Sequence, residues 1–241
     1  KNTINSTSIN TNAINLAIMA ENPTILSETQ RVTRAKTNTL TPKKIQAKTD
    51  QAIYSEDAIH HPVWAKNGMV ATQEALASDI GLKILKDGGN AVDAAVAVGF
   101  ALAVTLPRAG NIGGGGFMMV YDAKQGKTVA LDYREKAPSS ASRDMYLDKD
   151  GNAVSDLSQY HGLAVGVPGT VAGLLKALED HGTMSRGQVM APAIALAEKG
   201  IVVTPGLSES LEALSERMQK WPSTKKIFFK ADGSAYQPGE R

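Results

Sequence analysis

From Met69 onward the apolar positions recur with clear periods, whereas residues 1–66 carry no sustained pattern. Leu76, Ile80 and Ile84 repeat every four residues and predict an amphipathic helix that stops at Gly88-Gly89. Asn90 is suited to cap the next helix, with Asp93 in its first turn, where a negative charge complements the helix dipole. Ala91 to Val104 is apolar nearly all round, which predicts a helix at the centre of the core, ended by Pro107. Beyond four glycines at Gly113 to Gly116, Phe117–Tyr121 and Thr128–Tyr133 predict two strands joined by a turn at Asp122 to Gly126. Val167-Pro168-Gly169-Thr170 opens a helix over Val171 to Asp180, closed by Gly182. Ser185 and Gln188 form a capping-box pattern ahead of a helix that ends near Lys199-Gly200. Thr204-Pro205 starts a last helix with Leu207, Leu211, Leu214 and Met218 on one face. Helix, helix, hairpin and then several helices predict an α+β arrangement, with helices layered on an antiparallel sheet of which this chain supplies only part.

Residues 1–66 read differently. Lys1 to Asn12 is nearly a tract of Asn, Thr and Ser, and Ala13 to Ala20 suits a short helical turn. The region as a whole is expected to be an extended or partly ordered, mobile arm. Asn5-Ser6-Thr7 matches a glycosylation sequon, a pattern frequent by chance. Arg31 to Lys48 holds six basic residues and no acidic one, so a net charge of +2 conceals an otherwise acidic chain. Without interleaved aromatics or a recognisable nucleic-acid fold, this stretch is expected to be a solvated arm, not a nucleic-acid site.

A chain of 241 residues with 42% hydrophobic and 21% charged content suffices for one large domain or a well-packed part of a shared one. The lack of cysteine excludes a disulfide framework, a thiolate metal site and a cysteine nucleophile. The longest mainly apolar run, Ala94 to Leu106, falls short of the roughly 20 residues a membrane span needs. No signal-peptide pattern is visible at Lys1.

Two segments stand out for chemistry. Gly113 to Gly116 lacks the Lys-Ser/Thr signature of a phosphate loop and leads into a strand, so it reads as a crowded turn where backbones pack closely. Arg134 sits where a strand runs out, ahead of the Pro138-Ser139-Ser140 loop. Its planar guanidinium suits a substrate carboxylate, or equally an internal ion pair with Asp132, Glu135 or a distant acid. His60 and His61 follow Glu56 and Asp57 at ligand spacing, but Pro62 places them in a loop. His161 falls in a loop and His181 at a helix C-terminus, so surface and capping roles are expected for all four and no metal site is predicted. Ser139, Ser140 and Ser142 are turn residues, and no nucleophile elbow exists.

The chain resembles the γ-glutamyltransferases over about residues 67 to 241. The matching motifs are Met69-Val70-Ala71, Ile84 to Ala95, Ala109 to Phe117, Tyr133-Arg134-Glu135-Lys136-Ala137-Pro138, Val167 to Gly173 and Lys225-Lys226-Ile227-Phe228. That resemblance implies an N-terminal-nucleophile hydrolase fold, an αββα sandwich, with residues 1–66 as an arm outside it. It implies a precursor that cuts itself into a large and a small subunit, and a new N-terminal threonine that attacks the γ-glutamyl amide of glutathione. The acyl group then passes to water, an amino acid or a peptide. Arg134 matches the family arginine that holds the glutamyl α-carboxylate. No catalytic residue is expected in this chain, whose end at Arg241 precedes the expected cleavage site, so the chain alone is expected to be inactive. The small subunit and a γ-glutamyl compound are the implied partners, with no cofactor, metal, nucleic acid or membrane span, in a periplasmic or secreted location. Relatives of the same scaffold offer alternatives: a cephalosporin acylase, a poly-γ-glutamate depolymerase, or a scaffold chain without chemistry.

Overall fold

The computed structural model describes residues 17–20 and 65–241. Expectations for the arm, the basic stretch at Arg31 to Lys48, the sequon at Asn5, and His60 and His61 concern residues outside those described. Two antiparallel strand pairs and seven α-helices follow one another: β1 (Ala17–Ala20), β2 (Gly68–Ala71), α1 (Ala75–Lys86), α2 (Ala91–Thr105), β3 (Phe117–Asp122), β4 (Lys127–Asp132), α3 (Ser155–Gln159), α4 (Thr170–His181), α5 (Arg186–Lys199), α6 (Pro205–Met218) and α7 (Pro222–Phe228). One part of this departs from the sequence expectation. Ala17–Ala20 belongs to no helical turn; it pairs antiparallel with β2, Ala17 opposite Ala71 and Ala20 opposite Gly68. A short apolar run carries no period of its own, and a waiting strand decides its conformation.

Helix α2 is the axis of the core. Its Ala94, Val96, Ala97, Val98 and Ala101 are fully buried, and α1, α4 and α5 pack around it. Small side chains on α2 let these helices approach, while Ile84, Phe100, Leu174 and Val189 fill the space between them. Burying a Val or Leu side chain of this kind stabilises the fold by about 1.5–3 kcal/mol. The α2 N-terminus is built as its sequence predicts: the Asn90 side chain accepts from the backbone of Val92 and Asp93, and Asp93 returns a bond to Asn90 N. The same capping box forms between Ser185 and Gln188 at α5. Pro192 lies inside α5, yet the helix runs through it, because Val189 and Ala193 are buried against the core.

The β3–β4 hairpin pairs Phe117 with Asp132 and Asp122 with Lys127. Met118, Val120 and Leu131 face the helical core. Phe117, Met119 and Tyr121 point the other way and are exposed. Near the C-terminal end, α6 and α7 build a small separate core from Leu211, Phe229 and Ala235, with Leu207 and Met218 against it. Leu214, expected on the same face, is exposed instead. The short helices α3 and α7 have no counterpart in the sequence reading, since neither is long enough to show a 3.6-residue period.

Candidate functional site

Three backbone segments converge at the open end of the hairpin. Tyr133 continues β4 by exchanging hydrogen bonds with Gly116, at 3.0 and 3.3 Å. Three residues later the chain changes partner, and Lys136 exchanges bonds with Val167 at 2.8 and 3.4 Å. The third side is closed by Gly114, whose carbonyl accepts from both Gly169 N (2.8 Å) and Thr170 N (3.0 Å) at the start of α4. The segment from Tyr133 to Glu135 therefore lies between the glycine run and the entry to α4.

Glycine is required here by proximity. A Cβ on Gly115 would sit 2.5 Å from Tyr133 O, 2.7 Å from Glu135 N and 2.9 Å from the carbonyl carbon of Arg134. These are backbone atoms that have no rotamer to give way. Gly169 and Gly173 make the same allowance for Tyr133 from the other side. The expectation that the glycine run packs backbone holds, and what it packs against is the Arg134 segment. Burial of Tyr133 raises the pKa of its phenol above the ordinary value, so the group stays neutral and donates to Phe117 O at 3.4 Å.

Arg134 stands where β4 has ended. Its backbone N–H donates to Asp132 Oδ1 at 3.0 Å, just where regular strand structure stops. Its side chain is 49% exposed and lines an open depression of about 500 Å³ with Gly113, Pro138, Tyr146 and Leu163 among the other walls. The ion-pair alternative raised by the sequence is also realised: Arg134 Nε lies 3.2 Å from Glu135 Oε2. That pair uses only one edge of the guanidinium. Among the described residues the two terminal nitrogens make no hydrogen bond, so the arginine that lines the depression keeps a planar two-pronged donor uncommitted. Asp132, the other acid considered, bonds the backbone of Arg134 and not its guanidinium.

The remaining sequence candidates are elsewhere or structural. Ser139, Ser140 and Ser142 are exposed turn residues, with Ala141 N donating to Pro138 O at 2.9 Å. His161 Nδ1 accepts from Leu163 N at 3.2 Å, and His181 is the last residue of α4. Among the described residues no group of three or more His, Asp or Glu side chains could hold a metal ion, and no helix is long and apolar enough to cross a membrane.

Sequence reasoning named two carboxylates but missed what each is bound to. Asp93 is fully buried and accepts, besides Asn90 N, the backbone N–H groups of Thr183 and Met184 and the Thr183 hydroxyl. Its position in a capping box announced the local bond; the three from the α4–α5 connection are ninety residues away and left no signal. Glu135 Oε2 is buried and makes no aligned hydrogen bond at all, Arg134 Nε being its charged neighbour.

The family model for gamma-glutamyltranspeptidase matches residues 77–241. The glutathione hydrolase proenzyme of Pseudomonas sp. (strain A14) is 51% identical over 180 residues, covering 75% of this chain and 31% of that protein. The structure is similar to the gamma-glutamyltranspeptidase of Helicobacter pylori, with a TM-score of 0.72 and 50% identity, covering 74% of this chain and 51% of that one. The cephalosporin acylase of Bacillus halodurans is also similar, with a TM-score of 0.66 and 31% identity, covering 81% of this chain and 36% of that one. The chain spans about a third of the length of the curated relatives it matches.

Proposed function

The chain belongs to the gamma-glutamyltranspeptidase family, and from that premise we propose that it forms the carboxylate-binding part of a glutathione hydrolase. In this reading the enzyme cleaves the γ-glutamyl amide of glutathione and passes the acyl group to water, an amino acid or a peptide. Arg134 holds the α-carboxylate of the γ-glutamyl group through its terminal nitrogens. That contact orients the donor without touching the reacting amide, which lies three carbons from the α-carbon. A threonine nucleophile comes from a companion subunit of the same precursor, a reading consistent with the name proenzyme carried by the relatives. The exposed apolar face of β3 suits a chain that contributes part of a larger sheet. A periplasmic or secreted location rests on the family resemblance alone.

The observation that carries the proposal is the Arg134 side chain. It is half-exposed, fixed at its base by glycine-packed backbone, lines an open depression, and makes no hydrogen bond through its terminal nitrogens among the described residues. A guanidinium so presented is ready for a planar carboxylate. The test is release of p-nitroaniline from γ-glutamyl-p-nitroanilide by this chain alone and then with the companion subunit added. Activity only in the second case supports the proposal. Inactivity in both, with a correctly processed companion, overturns it. The likeness to a cephalosporin acylase supports a second reading, in which the same scaffold accepts a different acyl group. Release of a cephalosporin side chain without γ-glutamyl cleavage would favour it.

A further inference from the structure

We infer that Glu135 is the positioning residue for Arg134, holding its Nε so that the two terminal nitrogens meet the substrate carboxylate end-on. The inference rests on the carboxylate-binding reading of Arg134 and adds a second residue to it. Adjacent residues on a regular strand point to opposite faces, so a side-chain pair between Arg134 and Glu135 needs the chain to leave regular strand geometry. It does so here: β4 ends at Asp132, Asp132 Oδ1 accepts from Arg134 N, and the chain moves from Gly116 to Val167 as its partner.

Glu135 is the fixed member of the pair. A Cβ on Gly166 would lie 2.9 Å from Glu135 Cβ, and one on Gly114 would lie 3.4 Å from Glu135 Oε1, so glycine backbone packs against the base of the side chain and against one carboxylate oxygen. Its Oε2 is buried without an aligned hydrogen bond, a costly state for a charged acceptor. Arg134 Nε, 3.2 Å away, is the cation placed to relieve it, and a small rotation of the guanidinium aligns the N–H. Such a rotation pivots about Nε and swings the terminal nitrogens across the depression. Glu135 thereby limits where the fork can point. The ion pair and the carboxylate site are then one device, with the acid behind the arginine and the substrate in front of it.

The test uses the assembled enzyme with two donors: γ-glutamyl-p-nitroanilide and 4-aminobutyryl-p-nitroanilide, which lacks the α-carboxylate. Glu135→Ala is expected to raise KM for the first donor roughly tenfold with kcat nearly unchanged, and to leave kcat/KM for the second donor unaltered. Glu135→Gln, which keeps an acceptor for Nε, is expected to recover most of the loss. In an Arg134→Ala background, Glu135→Ala is expected to add nothing. Equal losses with both donors, or additive losses in the double variant, would overturn the inference by assigning Glu135 a general structural role. If Arg134→Ala itself does not distinguish the donors, the carboxylate reading falls and this inference falls with it. If Arg134→Ala distinguishes them and neither Glu135 variant does, only the inference fails.

Discussion

Two carboxylates, one buried whole and one with a single buried oxygen, mark two regions of opposite design. At the α2 N-terminus, Asp93 accepts four hydrogen bonds at 2.6–3.0 Å and ties the start of α2 to the connection between α4 and α5. At the hairpin end, Glu135 Oε2 is as dry as Asp93 but has no aligned donor, and its arginine neighbour is half-exposed. The first region is closed in every direction and has nothing left to offer a ligand. The second keeps a charged group unsaturated at the edge of an open depression, an arrangement whose cost is tolerated where a ligand completes it. Polar saturation thus separates a structural carboxylate from one proposed to serve a site, although each lies within a family motif.

The comparison breaks most readily at Asp93. Replacing it by Ala leaves Asn90 N, Thr183 N and Met184 N without their acceptor in a partly buried place. The expected loss is about 4 kcal/mol, read as a lowered urea midpoint, while the folded fraction keeps its KM. Gly115→Ala acts on the other region through backbone: its methyl must displace Tyr133 and Arg134, at about 3 kcal/mol with a raised KM for γ-glutamyl donors. Arg134→Ala sharpens the contrast from the functional side. It is expected to lower kcat/KM for γ-glutamyl-p-nitroanilide by about thirtyfold, close to 2 kcal/mol, with an unchanged urea midpoint and intact self-cleavage.

The smallest effect concerns Asp148, on a loop whose Leu147 bridges Ala153. The backbone N–H of Asn152, with further bonds from the Asn152 side chain and Asp150 N, holds the Asp148 carboxyl below the ordinary value. A lowered folded-state pKa means that this support is complete above the usual carboxylate range and is lost as pH falls through the lowered value. Amide exchange at Asp150 and Asn152 should therefore quicken on acidification while the global midpoint stays in place. Exchange that is flat with pH would show that the carboxylate does not hold the loop.

Legibility followed sequence distance. The N-cap at Asn90, the capping box at Ser185, the apolar α2 and the two strands of the hairpin depend on residues within a few positions of each other, and all are where the patterns put them. Arg134 was legible by its place at a strand end and within a family motif. Glu135 was one of several acids open to it as an ion-pair partner, since spacing alone does not reveal where regular strand geometry stops and neighbours can meet. The walls contributed by Tyr146 and Leu163, the Thr183 and Met184 donors to Asp93, and the strand at Ala17–Ala20 all depend on distant partners. A periodicity argument sees one segment at a time, so it had no means of finding them.

The most direct measurement of the central claim compares γ-glutamyl-p-nitroanilide with 4-aminobutyryl-p-nitroanilide in the assembled enzyme and its Arg134→Ala variant. The wild type should prefer the donor with the α-carboxylate, and the variant should lose that preference while cleaving the carboxylate-free donor at the wild-type rate. A preference that survives the substitution would show that Arg134 serves the fold and that the carboxylate is held elsewhere.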